Sequence, residues 1–142
     1  MTPNEERRLS TLAEIVGDEA VHKFAFYDEV NYDALVVSLV VTEAGSVVET
    51  LRDIRKIAPI PLAQAKDALA KRELLHETRL VDWPGPLERR RAIVTMQKLK
   101  QAIAQHGGNA TIDLSSPDGT FRRVDCSDQE LNYVITRILT WM

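Results

Sequence analysis

A single α+β domain, a small antiparallel sheet packed against helices, is the fold this sequence predicts. Three observations predict it. Ala34-Leu-Val-Val-Ser-Leu-Val-Val41 is β-branched and too short for a free-standing helix, and Ala110-Thr-Ile-Asp-Leu114 alternates apolar and polar as a half-buried strand does. Six stretches carry apolar residues at three- and four-residue steps, the period of an amphipathic helix. No linker-like, low-complexity or repeated segment divides the 142 residues, a length that suits one domain with its own core.

In chain order, Thr2 or Asn4 can cap a first helix bearing Leu9, Leu12, Ile15 and Val16, and Gly17 ends it. Asp18 opens a second, short helix through Val21, Phe24 and Ala25, broken at Asn31-Tyr-Asp33. After the strand 34–41, Glu43-Ala-Gly45 reads as a loop and Ser46-Val-Val-Glu49 as a capping box. The helix behind it carries Val47, Val48, Leu51, Ile54 and Ile57 as one stripe. Ala58 precedes Pro59, which disfavours further helix, and Pro61 suits the first position of the next one, which bears Leu62, Ala65, Ala68 and Leu69. Leu74 to Val81 is expected as a strand, and Trp83-Pro-Gly-Pro86 as a hard stop. Leu87 to Gln105 then makes a long helix with Ala92, Met96, Leu99 and Ile103 on one face, closed by His106-Gly-Gly108. After the strand 110–114, Pro117-Asp-Gly119 turns into Thr120 to Val124 as a hairpin. Ser127 and Glu130 box the last helix, which carries Leu131, Val134, Ile135, Ile138 and Leu139. Residues 34–114 form the predicted core, 1–33 a helical extension before it, and 115–142 a strand and helix after it.

The chain is 44% hydrophobic and 27% charged, as ordinary globular proteins are. No apolar run approaches the ~20 residues of a membrane span. The polar start, Met1-Thr-Pro-Asn-Glu-Glu-Arg-Arg8, has no signal-peptide apolar stretch, and the one cysteine, Cys126, has no intrachain partner for a disulfide. A cytoplasmic protein without a membrane partner is therefore expected. The net charge of -3 is unevenly spread. Residues 1–51 hold three basic against ten acidic side chains, 52–100 twelve against six, and 101–142 three against five. A positive middle of this kind can steer toward an acidic partner.

The residues give no enzyme motif. Gly-x-x-x-x-Gly-Lys and Gly-x-Gly-x-x-Gly are both missing, and Gly107-Gly108 follows a helix instead of opening one. His22, His76 and His106 share no metal-ligand spacing, so neither cofactor nor metal is expected. Cys126 precedes the Ser127 cap but is flanked by Asp125 and Asp128, which oppose a thiolate, so it reads as an inert thiol. Arg89-Arg-Arg91 with Lys98 and Lys100 has the charge to track phosphates, yet no aromatic residue is interleaved for base stacking. These side chains read as a solvated helix face, and no nucleic-acid partner is expected. Trp83, beside Pro84, reads as packing or as an interface anchor.

From about Ala34 to Leu114 the order strand, helix, helix, strand, helix, strand resembles the C-terminal domain of the bacterial ribosomal stalk protein, the acidic protein of the large subunit. The resemblance is densest at Ile54-Arg-Lys-Ile57, at Leu62-Ala-Gln-Ala-Lys-Asp67 and at Lys100-Gln-Ala-Ile-Ala-Gln-His-Gly-Gly-Asn-Ala-Thr-Ile112. The family has a glycine-leucine-glycine-leucine turn where this chain has Pro59-Ile-Pro-Leu62. The resemblance implies a three-stranded antiparallel sheet covered on one side by three helices, and binding of translation GTPases by the first two of them. Three basic positions used in that task are matched by Arg52, Arg55 and Lys66; a further family lysine is Val47 here. The family's dimerisation domain and alanine-rich hinge have no counterpart in this sequence. The expected function is thus a non-enzymatic protein-binding module that recognises a macromolecular partner, a translation GTPase being one candidate. Its contacts would be Val48, Leu51, Arg52, Arg55, Ile60 and Lys66. The alternative is an immunity or antitoxin protein that neutralises a toxic enzyme. Its acidic first 51 residues would then cover a basic toxin through Asp18, Glu19, Asp28, Glu29, Asp33 and Glu43.

Overall fold

A computed structural model describes Lys23, Phe24, Phe26, Tyr27 and residues 30–140. The helix expected before Gly17 lies outside the described residues, and of the one expected from Asp18 to Ala25 only Lys23 and Phe24 fall within them. A 3-10 turn at Tyr32–Ala34 leads into β1 (Val36–Glu43), followed by α1 (Val47–Ile57), α2 (Leu62–Lys71) and β2 (Leu74–Arg79). A second 3-10 turn (Leu80–Asp82) precedes α3 (Pro86–Gln105), β3 (Asn109–Ser115), β4 (Arg122–Arg123) and α4 (Asp128–Thr140). The strands form one antiparallel sheet in the order β2-β1-β3-β4. The predicted α+β class is therefore present.

The alternation in β1 decides where the core sits. Val37, Leu39 and Val41 are buried and pair in register with Leu114, Ile112 and Ala110 of β3, so all six side chains share a face. The apolar stripes of α2 and α3 close on that face and α1 packs against those two helices. Ile54, Ala65, Leu69, Ile93, Met96 and Ile103 belong to one buried cluster with it. Each fully buried Leu, Ile or Met of this kind stabilises the fold by about 1.5–3 kcal/mol relative to exposure. Phe24 and Tyr27, upstream of the sheet, join the same cluster through rings 5.5 and 6.2 Å from that of Tyr133 on α4.

Several local expectations shift. The strand predicted over 34–41 runs Val36–Glu43, because Asn31 and Tyr32 accept the amides of Ala34 and Leu35 (3.1 and 3.2 Å) and turn the chain first. The strand predicted to Val81 stops at Arg79, where Leu80 is buried and its amide bonds the Leu35 carbonyl at 2.9 Å. The hairpin after β3 keeps only two paired residues on its return strand. Its loop is held from within instead: the Asp118 carboxylate accepts from the Ser116 hydroxyl (2.6 Å) and from the Thr120 amide (3.0 Å) and hydroxyl (2.8 Å). Those bonds, the Ser116 hydroxyl first, hold the Asp118 carboxyl down at about 2. Pro61 stands one residue before α2 and its carbonyl accepts the Ala65 amide (3.0 Å), while Ala58 is extended as a residue preceding proline must be.

Two turns meet at the end of the sheet. His106 is the C-cap of α3; the Gly107 amide bonds the Ala104 carbonyl and the Gly108 amide the Ile103 carbonyl, with Gly107 at φ 85. This is the paired closing arrangement the glycines predict. The loop before α1 crosses it so closely that a Cβ on Gly45 (φ 61) would lie 2.4 Å from both the Gly108 nitrogen and the His106 oxygen. The Ser46 amide donates to that same His106 carbonyl at 2.8 Å.

Candidate functional site

The helix pair around Pro59-Ile-Pro61 gathers most of the residues expected to bind a partner. Val48, Leu51, Arg52 and Arg55 recur along α1 at helical steps, and Leu62 and Lys66 do so on α2. All six, with Lys56, line one shallow groove of about 580 Å³. Its floor is apolar: Leu51 is 8% exposed at the bottom, while Leu62 (40%) and Val48 (69%) stand open to solvent. The sequence places Val47 and Val48 in the buried stripe, but α1 buries only Thr50, Leu51 and Ile54, because the helix packs by its other side against α2 and α3. Ile60 does not line the groove. It is 5% exposed, buried at the turn between the two prolines.

The rim is cationic. Arg52, Arg55, Lys56 and Lys66 are all exposed, and none has a carboxylate within ion-pair distance among the described residues. α2 opens beside them with no acidic residue in its first turn and no side chain capping its amides. Its positive end therefore adds to the same field. An anionic group entering the groove would meet attraction from every side charge that lines it.

The acidic face predicted as an alternative is scarcely within view. Asp18, Glu19, Asp28 and Glu29 lie outside the described residues, as does the side chain of Asp33. Glu43 is exposed at the end of β1, opposite Asn109. His22 also lies outside them. The remaining sequence candidates are scattered. His106 Nε2 stands 2.7 Å from Asp53 Oδ2, tying α1 to the end of α3. Arg89 donates through Nε to the Leu80 carbonyl at 3.0 Å, and Arg90 and Arg91 are exposed. Cys126 is fully buried, its amide bonded to the Ile112 carbonyl (2.8 Å), and burial pushes its thiol up to about 12. Among the described residues no three His, Cys, Asp or Glu side chains stand together as metal ligands would, and no helix is long and apolar enough to cross a membrane.

One polar cluster escapes sequence reasoning. Glu130, 3% exposed, accepts from the Tyr27 hydroxyl (2.7 Å) and from Arg123 Nε (2.8 Å), and the Arg123 guanidinium lies 4.8 Å over the Phe26 ring. Burial, then the bond to Glu130, raises the Tyr27 hydroxyl well above its ordinary value. The Ser127-x-x-Glu130 spacing assigns that carboxylate to a helix cap. Half of the cap exists, since the Glu130 amide bonds the Ser127 hydroxyl at 3.1 Å, but the carboxylate turns inward. A signal was present in the spacing: Glu130 stands one and four residues before Leu131 and Val134, on the buried side of α4.

No protein-family model, no curated protein and no solved structure matches this chain.

Proposed function

We propose that this protein is a non-enzymatic binding module whose α1–α2 groove takes an acidic, partly apolar segment of a macromolecular partner. One observation carries the reading: four cations without carboxylate partners among the described residues rim an exposed apolar floor. Apolar anchors supply affinity in such a groove, while the unpaired rim supplies steering and orientation. The resemblance of residues 34–114 to the stalk protein's C-terminal domain makes a translation GTPase the first candidate, through Arg52, Arg55 and Lys66.

The test is retention of partners from lysate on the full chain, compared with Arg52→Glu/Arg55→Glu and with Val48→Ser. A partner held through the groove is lost, or held at least about tenfold more weakly, by the charge reversal, and is weakened by Val48→Ser as well. Recovery of elongation factors would support the translation candidate. A single near-equimolar enzyme that ignores both groove variants, and is released on neutralising Glu43, would replace this reading with that of an immunity protein.

A further inference from the structure

A second recess lies on the other side of the Pro59 turn, between that turn, β2 and the first half of α3. It has a volume of about 450 Å³, room for about fifteen water-sized groups, and falls in the range of small-molecule sites. Ile57, Ala58, Pro59 and Ala92 make its walls apolar. The Trp83 indole forms one side, 38% exposed. It is fixed in place, because its Nε1–H donates to the Thr78 hydroxyl oxygen at 2.8 Å. An indole face held in this way is a ready stacking surface that costs little ordering on binding.

The polar groups of the recess are few. Arg91 is the one charged side chain that lines it, and no carboxylate pairs with it among the described residues. His76 shares the inner face of the sheet with Leu39, and its ring has no hydrogen-bond partner among the described residues. Burial lowers its pKa, which keeps the imidazole neutral at pH 7, with one donor and one acceptor nitrogen to offer. An apolar chamber with a pinned aromatic wall, one unpaired guanidinium and one unbonded neutral imidazole describes a complement: a flat or branched apolar body carrying a single carboxylate.

We propose that the recess lined by Pro59, His76, Trp83, Ala92 and Arg91 binds a small apolar carboxylic acid, its body against Trp83 and its carboxylate on Arg91. Guanidinium and carboxylate form charge-assisted, two-pronged bonds that fix the orientation of the acid while the apolar walls hold its body. The site is separate from the α1–α2 groove and shares none of its rim cations, so either can be present without the other.

The experiment follows the Trp83 indole N–H resonance of the ¹⁵N-labelled full chain, identified by its loss in Trp83→Phe. The probes are 3-phenylpropionate, hexanoate and 3-phenylpropionamide. The expected result is a saturable shift with 3-phenylpropionate and a binding about tenfold weaker or more for its amide. Arg91→Gln reduces the acid to the level of the amide and leaves the amide unchanged. Thr95→Leu, which fills the recess from α3, abolishes the shift for both. Lack of a saturable shift with either acid up to about 10 mM overturns the proposal. So does equal binding of acid and amide, or acid binding that survives Arg91→Gln.

Discussion

Tyr27, Glu130 and Arg123 show how much one misassigned side chain can carry. Glu130 is buried with a neutral donor on one side and a half-exposed guanidinium on the other, so its removal strands the Tyr27 hydroxyl but lets Arg123 return to water. Glu130→Leu should cost about 2–3 kcal/mol and Tyr27→Phe about 1–2 kcal/mol in urea unfolding, with the double variant costing less than their sum. Full additivity would mean that the two side chains do not act as a pair. His76 sets a pH dependence. Burial lowers its folded-state pKa, whereas the unfolded chain takes up its proton near the ordinary 6.5. Below that pH the unfolded state binds more protons, so stability falls as pH drops from about 6.5 toward the lowered folded value and is level above it. Thermal melts of the protein between about pH 7 and pH 5 should show this loss, and His76→Gln should flatten it. Cys126, buried with its thiol pushed up to about 12, should resist alkylation in the folded protein and react at the rate of unfolding when urea is added.

At the scale of the element, the fold was legible wherever a single period or a glycine carried the signal. The α3 stripe, the Gly107-Gly108 closure and the inward alternation of β3 all follow from spacing alone. Ends were less legible, because tertiary partners decide them: the Leu80 amide donates to the Leu35 carbonyl and stops a strand that the residues alone would continue. The Ser46 hydroxyl was expected to accept the Glu49 amide, but it bonds the Glu49 carboxylate instead, and the Ser46 amide donates to the His106 carbonyl of the turn it crosses. The groove was partly legible. Val48 and Leu51 were named in advance, and Arg52, Arg55 and Lys66 through the resemblance, whereas Lys56 and Leu62 were missed. Ile60 could not be sorted from them, since nothing local says that a residue between two prolines turns inward. The recess beside Trp83 was illegible, because its walls come from three elements far apart in sequence. The crossing of Gly45 over Gly108 gives a sharp comparison. Gly45→Ala meets backbone atoms and a left-handed φ, and should cost more than about 2 kcal/mol, while Gly107→Ala meets no atom within 4 Å and should cost about 1 kcal/mol for its φ alone. Equal melting temperatures for the two variants would contradict the crossing.

Across the whole molecule, two aromatic residues ahead of the sheet belong to the core. Phe24 and Tyr27 are buried against α4, and Tyr27 partners Glu130. A chain beginning at Asn31 should therefore lose several kcal/mol relative to the full one, at about 3–5 kcal/mol for each large aromatic removed, and should show a broadened or absent urea transition. A transition as cooperative as that of the full chain would place those aromatics outside the folding unit. Charge has a meaning only at this scale too: the net charge is -3, yet the groove is rimmed by four cations, so the acidic partner proposed for it would meet a local positive field on a negative body. Association should slow with added salt as that field is screened over about 10 Å at 0.1 M. The meeting of the two glycine turns has a consequence for the order of events when the chain folds. His106 and Asp53, which clasp it from either side, are 53 positions apart, and the crossing brings together segments that local structure formation leaves separate. Closing so long a stretch carries an entropic cost before any reward, so this knuckle should set late, after the α1–α2 pair. Substitutions there should speed unfolding more than they slow refolding, which stopped-flow chevron plots of His106→Ala would reveal.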